Sequence, residues 1–301
     1  MNTKNQKKIY LVIKIILSFS LLLFLFRIKL NVQDLWLILQ KARFTLLLLS
    51  LLPTIIIVLI KTWKWQLMVT DTFKCPLRFK ESLFSYLFGL APGLLTPGRI
   101  GEILRITLIS KLSKVKLGEL FVIDKYIELS TLFLAGALGS YLMKLDTIFR
   151  LALFSFVLCM LLFVVRKKWV PPLLGFVSRT FHVHLRIEFQ DILFGRFLLY
   201  VMLSAIALFL DIFTFYLIVN SFQDFHFAEA LIIFPLLLLA AVMPISISGL
   251  GVRETAAIYL MSLFAVSPEI SFNASLLIFV IGSVLPALAG QFLFLFFRNQ
   301  E

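Results

Sequence analysis

The sequence predicts an all-α integral membrane protein with about six full transmembrane helices. Two opposed re-entrant helical hairpins complete eight hydrophobic segments arranged as inverted repeats. Three observations predict this class. Of 301 residues, 61% are hydrophobic and only 15% charged, which is more apolar surface than a soluble domain can hide. Six apolar windows have the length needed to cross a bilayer. Two further windows are interrupted by Gly and Pro, and each carries Arg and Glu where charge is costly.

Taken in order, the window at 9–30 follows Lys4, Lys7 and Lys8 and ends near Arg27 and Lys29. It is long and has no A-x-A-like cleavage site, so it reads as an uncleaved first helix rather than a signal peptide. The window at 44–60 is the second crossing. The stretch at 61–81 carries Lys61, Lys64, Lys74, Arg78 and Lys80 and reads as a cytoplasmic loop. Residues 82–109 contain Gly89, Pro92, Gly93, Pro97, Gly98 and Gly101, a density that breaks helices. The next basic stretch, 105–116, holds Arg105, Lys111, Lys114 and Lys116, so 82–104 should enter and leave on one side. An arm such as 82–95 spans roughly 21 Å, short of the roughly 30 Å hydrocarbon core, which fits a hairpin and not two crossings.

Windows 121–143 and 148–165 read as crossings. The loop 166–195 repeats Leu173, Val177, Phe181, Leu185, Phe189 and Leu193 every four residues, the pattern of a cytoplasmic interfacial amphipathic helix. His182 and His184 within it read as surface residues. After the crossing at 196–219, residues 230–265 are interrupted by Pro235, Pro244, Gly249 and Gly251. Their flanks carry Asp224, Glu229 and Glu269 without Lys or Arg, so this hairpin should open to the outside. The window at 272–297 returns the chain. Both termini then face the cytoplasm of a prokaryotic plasma membrane, and most of the 29 basic residues lie inside. Trp36, Trp63, Trp65 and Trp169 all fall at expected helix ends, where the head-group layer favours them.

The chain reads as one membrane domain, with residues 44–143 and 196–297 as one design written twice in opposite orientation. Such inverted repeats with broken helices point to a transport site near the midplane. The formal charge of +13 fits cytoplasmic loops touching anionic head groups better than nucleic acid. Cys75 and Cys159 form no CxxC pair, and the three His form no ligand set, so no metal or cofactor is implied.

The chemistry concentrates in the broken windows. In Pro97-Gly98-Arg99-Ile100-Gly101-Glu102, a helix start after Pro-Gly offers free N–H groups, and Arg99 adds a fork of donors suited to phosphate. Glu102 can neutralise Arg99 or receive a cationic head group; a purely structural Arg–Glu pair closing the hairpin is the competing reading. In the second window, Ser246 and Ser248 can satisfy freed backbone, and Gly249 and Gly251 permit close approach. Arg253 and Glu254 are adjacent, so separate partners are expected for them. Asp124, Lys125 and Glu128 open the next long helix; they either neutralise Arg99 or Arg105 or form an ordinary solvated helix start. Asp211 is an intramembrane carboxylate without an evident partner, able to pair with an Arg or to carry a proton. The small-residue pairs Gly136 with Ser140 and Ala135 with Gly139 are explained by helix packing.

PGRIGEILR, IDKYIE, PISISGLGVRE and a final helix with Pro286 and Gly290 together resemble the flippase-like family, the transmembrane region of lysylphosphatidylglycerol synthases. KTWKWQLM resembles that family's basic-aromatic element after its second helix. The resemblance covers nearly the whole chain. Where the family pattern has Arg and Asp, this chain has Lys125 and Glu128, so a point charge replaces a bidentate fork. The resemblance implies movement of a phospholipid, such as an aminoacylated phosphatidylglycerol, or of another anionic lipid between leaflets. It implies phosphate binding by Arg99, Arg105 and Arg253, with Glu102, Glu128 and Glu254 balancing charge. With Glu301 soon after the last apolar segment, a stand-alone form without the soluble synthase domain is expected. The partners expected are membrane phospholipid and anionic head groups, with a separate lipid-modifying enzyme as a further candidate. Two other classes stay open: a membrane enzyme acting on a lipid-linked phosphate or sugar, and a non-transporting partner of such an enzyme. No catalytic constellation favours the enzyme.

Overall fold

The computed structural model describes residues 36–38, 40–96, 98–109, 112–142, 144–164, 168, 194–243, 246 and 248–298. The expectations for 9–30, for the loop 166–195 with its two His, and for Trp169, Pro97 and Pro244 lie outside these residues. Within them every regular element is helical. In chain order these are α1 (Phe44–Leu49), α2 (Leu51–Phe73), α3 (Phe79–Leu94), a 3-10 helix (Ile100–Leu108) and α4 (Lys114–Leu142). Then come α5 (Asp146–Val164), α6 (Phe194–Asn220), α7 (Phe227–Val242), α8 (Val252–Ser262) and α9 (Pro268–Phe279). A π-helical turn, Val280–Val284, joins α9 to α10 (Leu285–Arg298).

Among the described residues three stretches are long and apolar enough to cross a membrane: Phe44–Phe73, Gly195–Asn220 and Pro268–Phe294. Their outward faces show Leu52, Ile55, Ile56, Leu59, Phe209 and Leu288, an apolar exposure that suits lipid and not water. The first stretch corrects the sequence reading. The helix does not stop at residue 60 but runs to Phe73, so Lys61 and Lys64 belong to a spanning helix and not to a basic loop. Nothing breaks the backbone until Lys74 turns left-handed at φ 52°, and the two cations are neutralised by neighbouring helices. The 29 residues of α4 reach about 43 Å, but Asp124, Lys125 and Glu128 keep it out of the apolar set.

Two ion pairs fix α1–α2 against α6 in antiparallel alignment. At one end Arg43 Nη2 meets Asp224 Oδ1 at 3.1 Å, and the Arg43 N–H donates to the Ser221 carbonyl at 2.7 Å. At the other, Arg196 Nε lies 3.4 Å from Asp71 Oδ2, which also accepts the Tyr200 hydroxyl at 2.5 Å. The α3–3-10 pair departs from and returns toward the Asp71 end. The α7–α8 pair departs from and returns toward the Asp224 end. Their tips meet between the ends, where the Ser248 hydroxyl donates to the Leu94 carbonyl at 2.6 Å.

Small residues let these pairs pack tightly. Gly89, Pro92 and Gly93 do not break α3, contrary to their expected role; they lie inside it. A Cβ on Gly89 would sit 2.8 Å from the Glu102 carbonyl oxygen, and one on Gly93 would sit 2.5 Å from the Glu102 side chain. Their glycines form the surface on which the 3-10 arm lies. Pro235 likewise stays within α7. The expected packing role of the α4 pairs is found: a Cβ on Gly139 would sit 2.9 Å from the Ile232 carbonyl oxygen of α7.

Two cores flank the tips. One, built on Phe215, Ile218, Ile233, Leu237, Ala257, Met261 and Ala274, joins α6 to α9. The other, built on Trp65, Met68, Leu117, Ile127 and Tyr200, joins α2, α4 and α6. Trp65 is fully buried there and lies inside α2 rather than at a helix end as expected, whereas Trp36 and Trp63 are exposed.

Candidate functional site

The first tip turns through Gly98 and Arg99, both left-handed at φ 61° and 56°. This conformation is costly for Arg, and it carries the Arg99 side chain away from its own helix. Thr96 holds the turn: its Oγ1 accepts the Gly101 N–H at 2.7 Å and donates to the Pro92 carbonyl at 3.1 Å. Gly101 lies so close to Pro92 that a Cβ would fall 2.2 Å from that carbonyl oxygen. The arm that follows is a 3-10 helix with Glu102 and Arg105 on its buried side. Lys114 Nζ closes it by donating to the carbonyls of Ile106, Thr107 and Ile109 at 2.9, 3.2 and 2.7 Å, satisfying acceptors that a helix end leaves free.

Arg105 therefore belongs to this buried 3-10 arm and not to an exposed basic loop. It is 1% exposed, its Nη2 meets Asp124 Oδ2 at 2.6 Å, and its guanidinium lies 3.9 Å from the Trp65 ring and 4.9 Å from Phe121. Such stacking and pairing is what makes a sealed guanidinium tolerable. On the other side of Asp124, Lys64 Nζ approaches Oδ1 at 2.7 Å. The same ammonium lies 3.3 Å from Glu128 Oε1 and donates to Ser204 Oγ at 2.9 Å. The two carboxylates expected at the start of α4 are thus a junction between three elements and not a solvated helix start.

Lys125, next along α4, reaches Glu102 Oε2 at 2.5 Å and Glu128 Oε2 at 2.9 Å. A point-charge ammonium can bridge two separate carboxylates in this way. Asp211, expected to stand alone, pairs with Lys61 of α2 at 3.8 Å. Arg99 is 41% exposed and touches Glu102 only at 4.0 Å; its firmer bond donates from Nη2 to Ser283 Oγ at 2.6 Å. Ser283 sits in the π-helical turn just before Pro286. Proline lacks an N–H and collides with the carbonyl four residues back, so a widened turn before it is the expected accommodation.

The second tip is closed on itself. Gly249 takes φ 74°, and a Cβ there would meet Ala241 backbone atoms at 2.9 Å. The Gly251 N–H donates to Glu254 Oε2 at 2.6 Å, so Glu254 caps the start of α8. Arg253 pairs with the other oxygen of Glu254, donates from Nε to Ser275 Oγ at 3.1 Å and lies 4.4 Å from the Phe279 ring. This corrects the expectation of separate partners. Adjacent residues diverge along a helix, but at its first turn the Glu bends back to cap, and the long Arg bends with it.

Of the residues singled out from sequence, Arg99, Glu102, Arg105, Asp124, Lys125 and Glu128 converge in one cluster. Arg253 and Glu254 form a second, within electrostatic reach of Arg99, and Arg99 and Lys61 both act on Asp211. Gly98, Gly101, Gly249 and Gly251 shape the tips. Sequence reasoning missed Lys61, Lys64, Trp65, Ser204 and Ser283 as members. The signal for the first three was the absence of any helix breaker between residue 61 and Pro76; the two serines gave none. Lys64, Arg105, Asp124 and Glu102 expose at most 4% of their side chains, whereas Lys61, Asp211, Lys125 and Glu128 expose between 22 and 30%. Among the described residues no three His, Cys, Asp or Glu converge as a metal site.

Comparison with known proteins gives one assignment. A family model described as lysylphosphatidylglycerol synthase TM region matches residues 11–290. No curated protein matches the chain.

Proposed function

The chain belongs to the lysylphosphatidylglycerol synthase transmembrane-region family, and from that premise we propose that it moves a phospholipid between membrane leaflets. The observation that carries this reading is Arg99. It is a half-exposed guanidinium in a left-handed turn at the meeting point of two helix pairs, held by one serine and only loosely by a carboxylate. A guanidinium has five donors, so Arg99 keeps capacity for the phosphate of a head group.

The lengths of the helix pairs support re-entrance. The 16 residues of α3 and of α7 reach about 24 Å, and the 3-10 arm of nine residues about 18 Å. Both fall short of the roughly 30 Å core. Two hairpins entering from opposite leaflets, with tips in contact, form the kind of midplane site that inverted-repeat transporters use. In this reading Arg99 takes the phosphate, and Lys125 and Glu128 flank it. Arg105 and Arg253, both sealed and paired, hold the tips in place. The setting is a prokaryotic plasma membrane with both termini cytoplasmic.

The test is translocation of fluorescent phospholipids by purified protein in proteoliposomes. Wild type should accelerate exchange between leaflets, and an Arg99→Ala, Arg253→Ala double variant that remains folded should not. Equal rates for the two would remove the site from the mechanism.

A further inference from the structure

The charges around the tips divide by access, and the division is uneven. The sealed layer holds Lys64 and Arg105 against Asp124 and Glu102, two cations and two carboxylates in contact through Asp124 and, by way of Lys125, Glu102. The Arg253–Glu254 pair is balanced within itself. Among the described residues the accessible layer holds Lys61, Lys125 and Arg99 against Asp211 and Glu128. One positive charge is left over, it lies in the layer a ligand can reach, and it falls on Arg99, the cation with the longest carboxylate contact of the set.

We propose that this site selects head groups carrying one net negative charge. The lipid class is a phosphodiester with an uncharged polar tip, such as phosphatidylglycerol, favoured over zwitterionic or aminoacylated head groups. The inference rests on the transport reading above and adds the charge of the cargo to it. A monoanionic diester on Arg99 completes neutrality without disturbing any existing pair. A zwitterion brings an ammonium that needs a carboxylate, yet both accessible carboxylates are held, Asp211 by Lys61 and Glu128 by Lys125 and Lys64. A lysylated diester, with two ammonium groups against one phosphate, carries a net positive charge into a site already in positive surplus. In surroundings poor in water, each uncompensated charge weighs far more than at a protein surface. The geometry therefore points away from the aminoacylated lipid that resemblance implies and toward its unmodified precursor class.

The experiment is competition binding to the purified full chain in detergent, using dioctanoyl forms of phosphatidylglycerol, phosphatidylethanolamine, lysylphosphatidylglycerol and phosphatidic acid. Phosphatidylglycerol should bind at least about tenfold more tightly than the zwitterionic or lysylated lipid. Arg99→Gln should lower that affinity at least about tenfold and erase the preference. Asp211→Asn, which adds one unit of positive surplus while leaving Arg99 in place, should shift preference toward phosphatidic acid, the lipid with the greater negative charge. If the lysylated or zwitterionic lipid binds as well as phosphatidylglycerol and binding still requires Arg99, the charge selection is wrong and the transport reading survives. If wild type retains none of the four lipids, both fail together.

Discussion

Replacing Asp124 by Asn tests the sealed half of the site. Asp124 is 2% exposed and sits between Lys64 at 2.7 Å and Arg105 at 2.6 Å. With the carboxylate gone, Lys64 keeps Glu128 at 3.3 Å, whereas no other carboxylate among the described residues pairs with Arg105. A buried cation stripped of its partner costs about 3–5 kcal/mol. At roughly 2–4 °C per kcal/mol for a chain of this order, the melting temperature should fall by on the order of 10 °C. Lys64→Met removes a cation from the same junction but leaves each carboxylate paired, Asp124 with Arg105 and Glu128 with Lys125, so its cost should be nearer 1–3 kcal/mol. Arg105→Met combined with Asp124→Asn removes both members of that pair and leaves Lys64 on Glu128, and such replacements are often close to neutral. Thermal stability of detergent-purified variants, followed by size-exclusion after heating, ranks them. The reasoning is refuted if Lys64→Met is the most damaging of the three, or if the double variant melts no higher than Asp124→Asn alone.

Other outcomes follow from single contacts. Gly101→Ala forces a Cβ to 2.2 Å from the Pro92 carbonyl oxygen and should cost at least about 1–3 kcal/mol through splayed hairpin arms, visible as loss of monodisperse protein. Ser248→Ala removes the one hydroxyl bridge from the second tip to Leu94; a cost of about 1 kcal/mol is expected. With Cys75 and Cys159 replaced, Leu95→Cys and Ser248→Cys should cross-link under mild oxidation, and failure to do so would place the tips apart. Maleimide labelling of Ser113→Cys and Pro268→Cys in intact cells should report opposite sides of the membrane; labelling of both from one side would overturn the inverted arrangement.

The helical class, the interrupted windows and the residues of both tips were legible because they depend on composition and local chain chemistry. Gly98, Gly249 and Gly251 are where a tight turn needs positive φ, and the runs rich in Leu, Ile and Phe become helices whose outer faces stay apolar. Helix ends near charged residues were not legible. A cluster of Lys inside an apolar stretch looks like a loop by the rules for membrane borders, and Lys61 and Lys64 obey that pattern in sequence while violating it in space. What decides their place is the position of Asp211, Asp124 and Glu128 on α6 and α4, at separations the chain does not announce. The same holds for Gly89, Pro92 and Gly93. Their composition signals a break, but the 3-10 arm packed against them turns three breakers into a docking face.

The two Gly-Arg-Glu motifs look equivalent in sequence, yet spacing makes them different devices. In the second, Arg253 and Glu254 are neighbours at the first turn of α8. Once Glu254 caps the Gly251 N–H, its remaining oxygen faces Arg253, and the pair closes on itself. In the first, Glu102 lies three positions after Arg99, and a 3-10 turn would stack them on one face. The left-handed conformation of Arg99 undoes that stacking and stretches the contact to 4.0 Å. Glu102 then turns to Lys125 at 2.5 Å, and Lys125 in turn binds Glu128, so the positive charge of the cluster is displaced outward onto Arg99. A single backbone conformation, strained for a side-chain-bearing residue, thereby converts what would have been a second self-neutral pair into an available cation. Gly98→Ala, which penalises the first of the two left-handed residues, should relax the turn, return Arg99 toward Glu102 and weaken anionic-lipid binding in step. Unchanged binding in a folded Gly98→Ala protein would mean that the turn does not set the charge.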